Sequence, residues 1–310
     1  MRTRAARLIA LAWLVACATD SAHAAGAPAG DSAATRVVML GTGTPNADPE
    51  RSGPCVAIVA GGRAYLVDAG PGLVRRAAAA ARARGIAALA PEKLGVVFLT
   101  HLHSDHTLGL PDLMLTPWVL ERSKPLEVFG PPGTRRMVSS LLEAYREDIA
   151  IRERGLEPEK SEGWRTRAIE AAPGVVYRDS NVTVTAFAVP HANWSHAYGY
   201  RFETRDRTIV VSGDTRPSDA IVRACDGCDV LVHEVYSSER FATRPPEWRR
   251  YHADAHTSAT ELAAIATRAR PKLLLLYHQL FWGATDEALE AEVRAGFDGV
   301  VVSARDLGAY

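Results

Sequence analysis

The sequence predicts an α/β fold, and three observations carry that prediction. Strand-type and helix-type segments are interleaved between Arg36 and Val302, they fall into two similar halves, and Val96-Val97-Phe98-Leu99-Thr100 is a continuous apolar run. Such a run suits a strand covered on both faces, and interleaving suits mixed layers of sheet and helix. No convincing linker interrupts residues 36–310, which are read as one domain.

The elements follow in order. Arg36–Leu40 is a strand that ends in the turn Gly41-Thr42-Gly43-Thr44-Pro45. Cys55–Ala60 and Ala64–Val67 form a hairpin about Gly61-Gly62, and Asp68-Ala69-Gly70-Pro71-Gly72 closes it. Leu73–Arg84 is rich in Ala and Arg, good helix formers, with Gly85 placed for the C-terminal cap. The Val96–Thr100 strand precedes a partly helical stretch, Leu108–Leu120, and a short strand, Leu126–Phe129. Met137, Leu141, Leu142 and Tyr145 recur at helical spacing and predict a helix over Arg135–Ile151. Residues 152–174 are polar, broken by Gly and Pro, and read as loop. Strands follow at Val182–Val189, Ala197–Phe202, Thr208–Val211 and Val230–Val232, with a short helix at Pro217–Cys225. Ser258-Ala259-Thr260-Glu261 has the form of a capping box and opens a helix to about Arg270. Leu273–Leu276, Asp286–Phe297 and Val300–Val302 complete the chain as strand, helix and strand.

The first residues have another use. Arg2, Arg4 and Arg7 precede a short apolar run, Leu8–Ala16, too short to span a bilayer as a helix. This is the pattern of a secretory signal peptide, and it predicts export, to the periplasm or the medium. Two processing sites compete. Ala22-His23-Ala24 suits cleavage after Ala24, giving a signal peptide over residues 1–24; Leu14-Val15-Ala16-Cys17 resembles a lipobox, which would make Cys17 a lipid anchor. Residues 25–35, rich in Ala, Gly, Ser and Pro, are then a flexible leader.

The formal net charge is +0, and losing residues 1–24 leaves −2 (33 Lys and Arg against 35 Asp and Glu). A chain with no basic excess is poorly suited to gripping a nucleic-acid backbone. Cys225-Asp226-Gly227-Cys228 lacks a second pair to complete a zinc site, and it ends a helix rather than opening one. It is read as structural; in an oxidising compartment the pair could close a small disulfide, and the sequence leaves open whether it does.

The chemistry concentrates in Thr100-His101-Leu102-His103-Ser104-Asp105-His106. His101 and His103 leave a strand two residues apart and so share a side. Asp105 and His106 follow after a turn. Imidazoles and a carboxylate this dense suit zinc, and also manganese or iron.

This H-x-H-x-D-H run resembles the signature of the metallo-β-lactamase-fold hydrolase superfamily, and the likeness extends along most of the chain. The resemblance implies a four-layer αββα sandwich. It implies that Asp68 braces the metal loop, that His101, His103 and His191 hold one cation, and that Asp105, His106 and His278 hold a second. Asp214 would bridge the two. Two cations, expected as Zn2+ with Mn2+ or Fe as alternatives, need an anionic bridge at a separation of roughly 3.5–4 Å, and can hold a hydroxide between them. Ser212-Gly213-Asp214-Thr215-Arg216-Pro217, His233-Glu234 and His256-Thr257-Ser258 resemble the ribonuclease Z and arylsulfatase-like branch. That likeness implies that Glu234 and His256 assist proton transfer to the leaving group, so that Asp105, Glu234 and His256 are the catalytic candidates. His256 also precedes a capped helix start, where free N–H groups and the helix dipole favour an anion.

The chain departs from that branch in two places. Only 22 residues separate His191 from Asp214, where the transfer-RNA enzymes carry an extended arm, and the last ligand lies in Leu276-Tyr277-His278-Gln279-Leu280-Phe281-Trp282. The expectation is therefore an exported dinuclear hydrolase for a small phosphodiester or sulfate ester, with nucleic acid an unexpected partner and a homodimer an open assembly state. A lactone or β-lactam hydrolase is the alternative; Asp214, where many β-lactamases of this fold carry Cys or no carboxylate, makes it the lesser one. A non-catalytic metal-binding or partner-binding protein is the alternative of another class. Phe281, Trp282, Trp194, Tyr198 and Trp118 are candidates for a pocket wall, with core packing the competing reading; His196 and His252 have no motif support and are read as bland or substrate-side residues.

Overall fold

The computed structural model describes residues 34–157 and 162–310. The expected signal peptide, its two cleavage sites, Cys17 and the leader as far as Ala33 lie outside the described residues. None of the described helices is long and apolar enough to cross a membrane.

Two mixed sheets form the centre. The first contains β1 (Arg36–Gly41), β2 (Cys55–Ala60), β3 (Arg63–Val67), β4 (Val96–Phe98), β5 (Leu126–Gly130) and β6 (Thr166–Glu170), in that spatial order. The second contains β7 (Gly174–Arg178), β8 (Val182–Ala188), β9 (Tyr198–Thr204), β10 (Thr208–Val211), β11 (Val230–Tyr236), β12 (Leu273–Leu280) and β13 (Val301–Ser303), also side by side in chain order. In each sheet the early strands pair antiparallel and the late ones parallel, which is the expected pair of similar halves.

Strand alternation builds the layers. Val37 and Met39 of β1 face the second sheet, with Phe98, Tyr200, Phe202, Val232 and Tyr277 in the same apolar cluster. Val38 and Leu40 face the other way, onto α1 (Leu73–Arg84) and α3 (Leu110–Val119), which follows the single turn α2 (Ser104–Thr107). The outer face of the second sheet carries α6 (Asp219–Cys225), α9 (Ala259–Ala269) and α10 (Asp286–Arg294) through Leu231, Leu274, Leu276, Ile221 and Leu262. The remaining helices are α4 (Thr134–Ala144), α5 (Arg146–Arg154), α7 (Ser238–Phe241) and α8 (Pro246–Ala255). The result is the αββα sandwich, helix layers outside two sheets that bury one face against each other. Gly308 and Tyr310 run beside β1 and exchange backbone hydrogen bonds with Val37 and Met39, covering that edge.

Three expectations need correction. Residues 152–174 are not all loop: β6 lies within them and β7 starts at Gly174. The helix expected over Arg135–Ile151 is two, broken at Tyr145, whose backbone leaves the helical region between α4 and α5. The stretch from Ser238 to Ala255 holds α7 and α8, which no sequence pattern indicated. Cys225 and Cys228, whose pairing the sequence left open, form a disulfide at the end of α6.

Asp179 ties the sheets together. It accepts hydrogen bonds from Tyr65 Oη (2.7 Å) and Arg63 (2.9 Å) on β3, from Tyr177 Oη (2.9 Å) on β7, and from the Asn181 and Val182 amides (2.8 and 3.1 Å). Burial opposes its ionisation, but these donors outweigh it and lower its pKa. Asp179→Ala is expected to cost about 2–4 kcal/mol in chemical denaturation at neutral pH. Because the folded-state pKa is the lowered one, this contribution is complete above the usual carboxylate range and fades as the pH falls through the folded-state value. A gap between wild type and variant that does not shrink in acid would contradict the assignment.

Candidate metal centre

The histidine run leaves the C-terminal end of β4 and turns at once into α2. Asp68, at the end of β3, holds both parts of it: it accepts from the Thr100 amide (2.8 Å) and hydroxyl (3.0 Å) and from His106 Nδ1 (2.8 Å). Thr100 Oγ1 in turn lies 3.0 Å from His101 Nδ1. His191 Nδ1 donates to the Ala255 carbonyl at 2.7 Å. In His101, His106 and His191 the Nδ1 proton is thus engaged outward, and Nε2 presents a lone pair inward, the arrangement metal-binding imidazoles need.

The inward atoms converge as two sets. His101 Nε2 lies 2.8 Å, and His191 Nε2 3.2 Å, from His103 Nδ1, and these three with Asp214 form one group of donor atoms. Asp105, His106 and His278 form another; His278 Nε2 is 3.2 Å and His106 Nε2 3.5 Å from Asp105 Oδ2. Asp214 reaches both: its Oδ2 is 3.4 Å from His106 Nε2, 3.5 Å from His278 Nε2 and 4.0 Å from His101 Nε2. All seven sequence-predicted ligands therefore meet at one place, and only His103 is less than fully enclosed.

The donor set fits two divalent cations. His106 Nε2 and Asp214 Oδ1 are buried without a hydrogen-bond partner, which is costly unless something positive binds there. Burial opposes charge on His106, yet Asp214 and Asp68 outweigh it and hold the imidazole well above its usual range. Burial likewise opposes ionisation of Asp214, but His278 and His106 pull it well below the carboxylate range. The opposite balance holds for His101, where burial lowers the pKa well below normal, and for His103, where it does so to about 4. The carboxylates thus draw positive charge to His106 and His278, beside the neutral imidazoles of His101 and His103, and a cation bound there would take the place of those protons.

Backbone strain places two of these groups. His278 is the bulged residue between the β11–β12 pairs Glu234–Tyr277 and Val235–Gln279, with φ of 46°. A bulge re-aims one side chain without ending the strand, and here it aims His278 inward. Gly213, φ 62°, precedes Asp214; a Cβ there would lie 2.7 Å from the Tyr198 carbonyl oxygen and 2.9 Å from Thr100 Cβ, so only glycine brings Asp214 in this close.

Glu234 and His256 sit beside the cluster, as expected, His256 Nδ1 being 3.4 Å from Glu234 Oε2 and 3.9 Å from Asp214 Oδ2. Glu234 is wholly buried at the end of β11, and its Oε1 accepts from the Thr257 amide at 2.9 Å. Burial, then Asp214, pushes its pKa well up, while burial pushes His256 down to about 4. Ser258, the N-cap of α9, makes the predicted capping box with Glu261.

A cavity of about 550 Å³ opens over Asp105, Asp214, His256 and His278. Of the aromatic residues singled out in the sequence, Trp282 lines it. Trp194 lies in a neighbouring cleft and donates to His103 Nε2 at 2.7 Å. Trp118 and Tyr198 are buried in the core and Phe281 packs beneath Arg51, so for these three core or surface packing is the correct reading. His196 is exposed. Sequence reasoning missed Arg244, Trp248 and Tyr251, which line the cavity together with His252, for which a substrate-side place was one of two readings. Trp248, Tyr251 and His252 are spaced as one face of a helix, but such a stripe marks core packing as readily as a cavity wall.

Comparison with known proteins agrees with this geometry. A family model described as the β-lactamase superfamily domain matches residues 63–279. Ribonuclease Z of Mycobacterium bovis (strain BCG / Pasteur 1173P2) is 33% identical over 276 residues, covering 87% of this chain and 96% of that protein. Ribonuclease Z of Mycobacterium sp. (strain KMS) is 36% identical over 246 residues, 79% of this chain and 84% of the relative. Among solved structures, the metallo-β-lactamase fold protein YhfI from Bacillus subtilis superposes with a TM-score of 0.68 at 18% identity, over 89% of this chain and 98% of its own. The short form of human tRNase Z does so with 0.66 at 22% identity, over 89% and 98%. This chain belongs to the metallo-β-lactamase superfamily of hydrolases, in its ribonuclease Z branch.

Proposed function

We propose that this chain is an exported phosphodiester hydrolase acting on a small substrate, with two divalent cations, zinc first, held by His101, His103, His191, Asp105, His106, His278 and the shared Asp214. The observation that carries the reading is the Glu234–His256 pair, set 3.4 Å apart, with His256 lining the cavity beside Asp214 and Glu234 buried behind it. Two cations supply Lewis acidity and acidify a water molecule. The chain's own residues do the rest. Asp68, Thr100 and the Ala255 carbonyl fix imidazole orientation, so no reorganisation is needed when charge develops. Water adds to phosphorus and releases a proton to solvent, the bond from phosphorus to the leaving oxygen breaks, and that oxygen takes a proton relayed through His256 from the Glu234 carboxyl, the member of the pair whose pKa is raised.

Several observations favour a small substrate. His191 and Asp214 are joined by the β9–β10 hairpin, and the cavity is of the size that encloses an organic group rather than a helix of nucleic acid. The mycobacterial relatives are named ribonuclease Z, which supports the bond type. The test is a panel of chromogenic phosphodiester, sulfate ester, lactone and β-lactam substrates with zinc- or manganese-loaded protein. Turnover of the diester above the others is expected; sulfate ester, lactone or β-lactam turnover in its place would overturn the reading, and turnover of none would favour a binding protein.

His256→Ala should keep both metals and lower kcat by about 10²–10⁴-fold for poor leaving groups, and far less for good ones that need no proton. Equal losses across a leaving-group series would remove His256 from the role of proton donor.

A further inference from the structure

The cavity has a wall that the hydrolytic machinery does not use. Trp248 and Tyr251 of α8 are partly exposed, an unusual setting for large rings beside a polar cluster. Trp248 stacks on His252 with ring centres 5.7 Å apart, and His252 meets Trp282 at 4.8 Å, so the rings form one continuous surface. The single cation on this wall is Arg244. Its guanidinium lies 5.3 Å above the Trp282 ring, its Nε is buried without a hydrogen-bond partner, and no carboxylate pairs with it among the described residues. A cation held by a ring face, with donors pointing at no acceptor, is complementary to an anion. His252 also has a buried, unpartnered Nδ1.

The position of this wall says which part of the substrate it meets. His256 opens on the same cavity, whereas Trp194, Asn193 and Arg250 line a separate cleft of about 900 Å³ that shares only His103 and Tyr251 with it. A diester has two esterified groups, and the two clefts meet where the reacting phosphorus would lie. The group that leaves must have its oxygen within reach of His256, and so occupies the aromatic cavity.

We infer that Arg244, Trp248, His252 and Trp282 form a leaving-group subsite for a planar aromatic ring carrying an anionic substituent. This rests on the phosphodiesterase reading for its orientation. The ring stacks on the tryptophan faces, and the substituent takes the free donors of Arg244. Specificity then lies mainly in the α7–α8 segment, with Trp282 contributed from the loop after β12.

The test uses the full chain loaded with zinc and two methyl aryl phosphodiesters whose phenolic leaving groups match in acidity and differ by one ring carboxylate. The carboxylate-bearing diester is expected to have the higher kcat/KM by about tenfold or more, the worth of one charge-assisted hydrogen bond. In Arg244→Gln the ratio should fall to about one, and Arg244→Lys should keep part of it. A ratio near one in the wild type, or one that survives Arg244→Gln, overturns the subsite. Binding of 4-hydroxybenzoate against 4-hydroxybenzamide, followed by tryptophan fluorescence, needs no turnover: tighter binding of the benzoate that disappears in Arg244→Gln and weakens in Trp282→Leu supports the subsite even if no diester is cleaved, whereas that last result alone would sink the phosphodiesterase reading. Equal binding of the two while diesters are cleaved removes the subsite and leaves the activity.

Discussion

Asp214→Ala is expected to lower kcat/KM by about a thousandfold or more, ~4 kcal/mol of lost transition-state stabilisation, and to reduce bound metal from two equivalents to one or fewer. The reason is geometric. Asp214 Oδ2 is the one carboxylate oxygen within 4.0 Å of imidazoles from both donor sets, His101 on one side and His106 and His278 on the other. Without it, two like-charged ions would face each other with no carboxylate between the two donor sets, Asp105 belonging to one set alone. The measurements are metal content after dialysis and turnover of the preferred diester. Two retained equivalents with activity within tenfold of wild type would show that Asp214 is not shared between the sites. Ser212, Gly213 and the β10–β11 pairing are untouched by the change, so the fold is expected to survive it.

Most of that centre was legible in the sequence. His101 to His106 are crowded at the end of an apolar strand, and the other ligands each follow a strand run, so their meeting is a consequence of parallel strands ending on one rim. Glu234 and His256 followed from likeness to a family. The cavity wall was not legible. Pro246–Ala255 reads Pro-Glu-Trp-Arg-Arg-Tyr-His-Ala-Asp-Ala, a polar helix whose aromatic stripe faces a cleft instead of the core, and nothing local distinguishes those cases. The failures in the fold have a related cause. β6 and β7 are the edge strands of their sheets and mostly half-exposed, so they lack the alternation that marks a strand packed on one face, and β5 and β8 supply their register. The break at Tyr145 carries no Gly or Pro that would mark it in the sequence; α4 packs on β5 and β6, and the chain turns from there into α5.

Half of the non-glycine residues with left-handed backbone among the described residues, four of eight, lie at the site. Asp68 (φ 63°), Ala192 (φ 42°), His278 (φ 46°) and Trp282 (φ 47°) are non-glycine residues in the left-handed region, and each lies at or beside a ligand or the cavity. Conformations of this kind cost about 1–3 kcal/mol apiece and persist only where surrounding contacts fix them. The apolar clusters on both faces of each sheet provide that surplus, which is why a rim of buried polar groups can be held in one arrangement before any cation arrives.

Asp68 carries the heaviest part of that arrangement, and its removal separates stability from metal affinity. Asp68→Ala should destabilise the protein by about 3–5 kcal/mol, because it leaves the wholly buried His106 Nδ1 and the Thr100 amide and hydroxyl without their acceptor. A loss of that size is a large part of what a domain has, so the more telling variant is Asp68→Asn. The amide oxygen can still accept from Thr100, which preserves the turn. Its NH2 group, however, meets the His106 Nδ1 proton donor to donor. Relief comes if His106 moves its proton to Nε2, and Nε2 is the atom directed at Asp105 and Asp214. Asp68→Asn is therefore expected to unfold close to the wild-type temperature in the presence of a chelator, yet to bind its weaker-held metal about 10–100-fold less tightly in a competition titration. Unchanged metal affinity in the Asn variant would mean that the carboxylate does no more than brace the loop. A large drop in apo stability with unchanged affinity in a folded Ala variant would lead to the same conclusion.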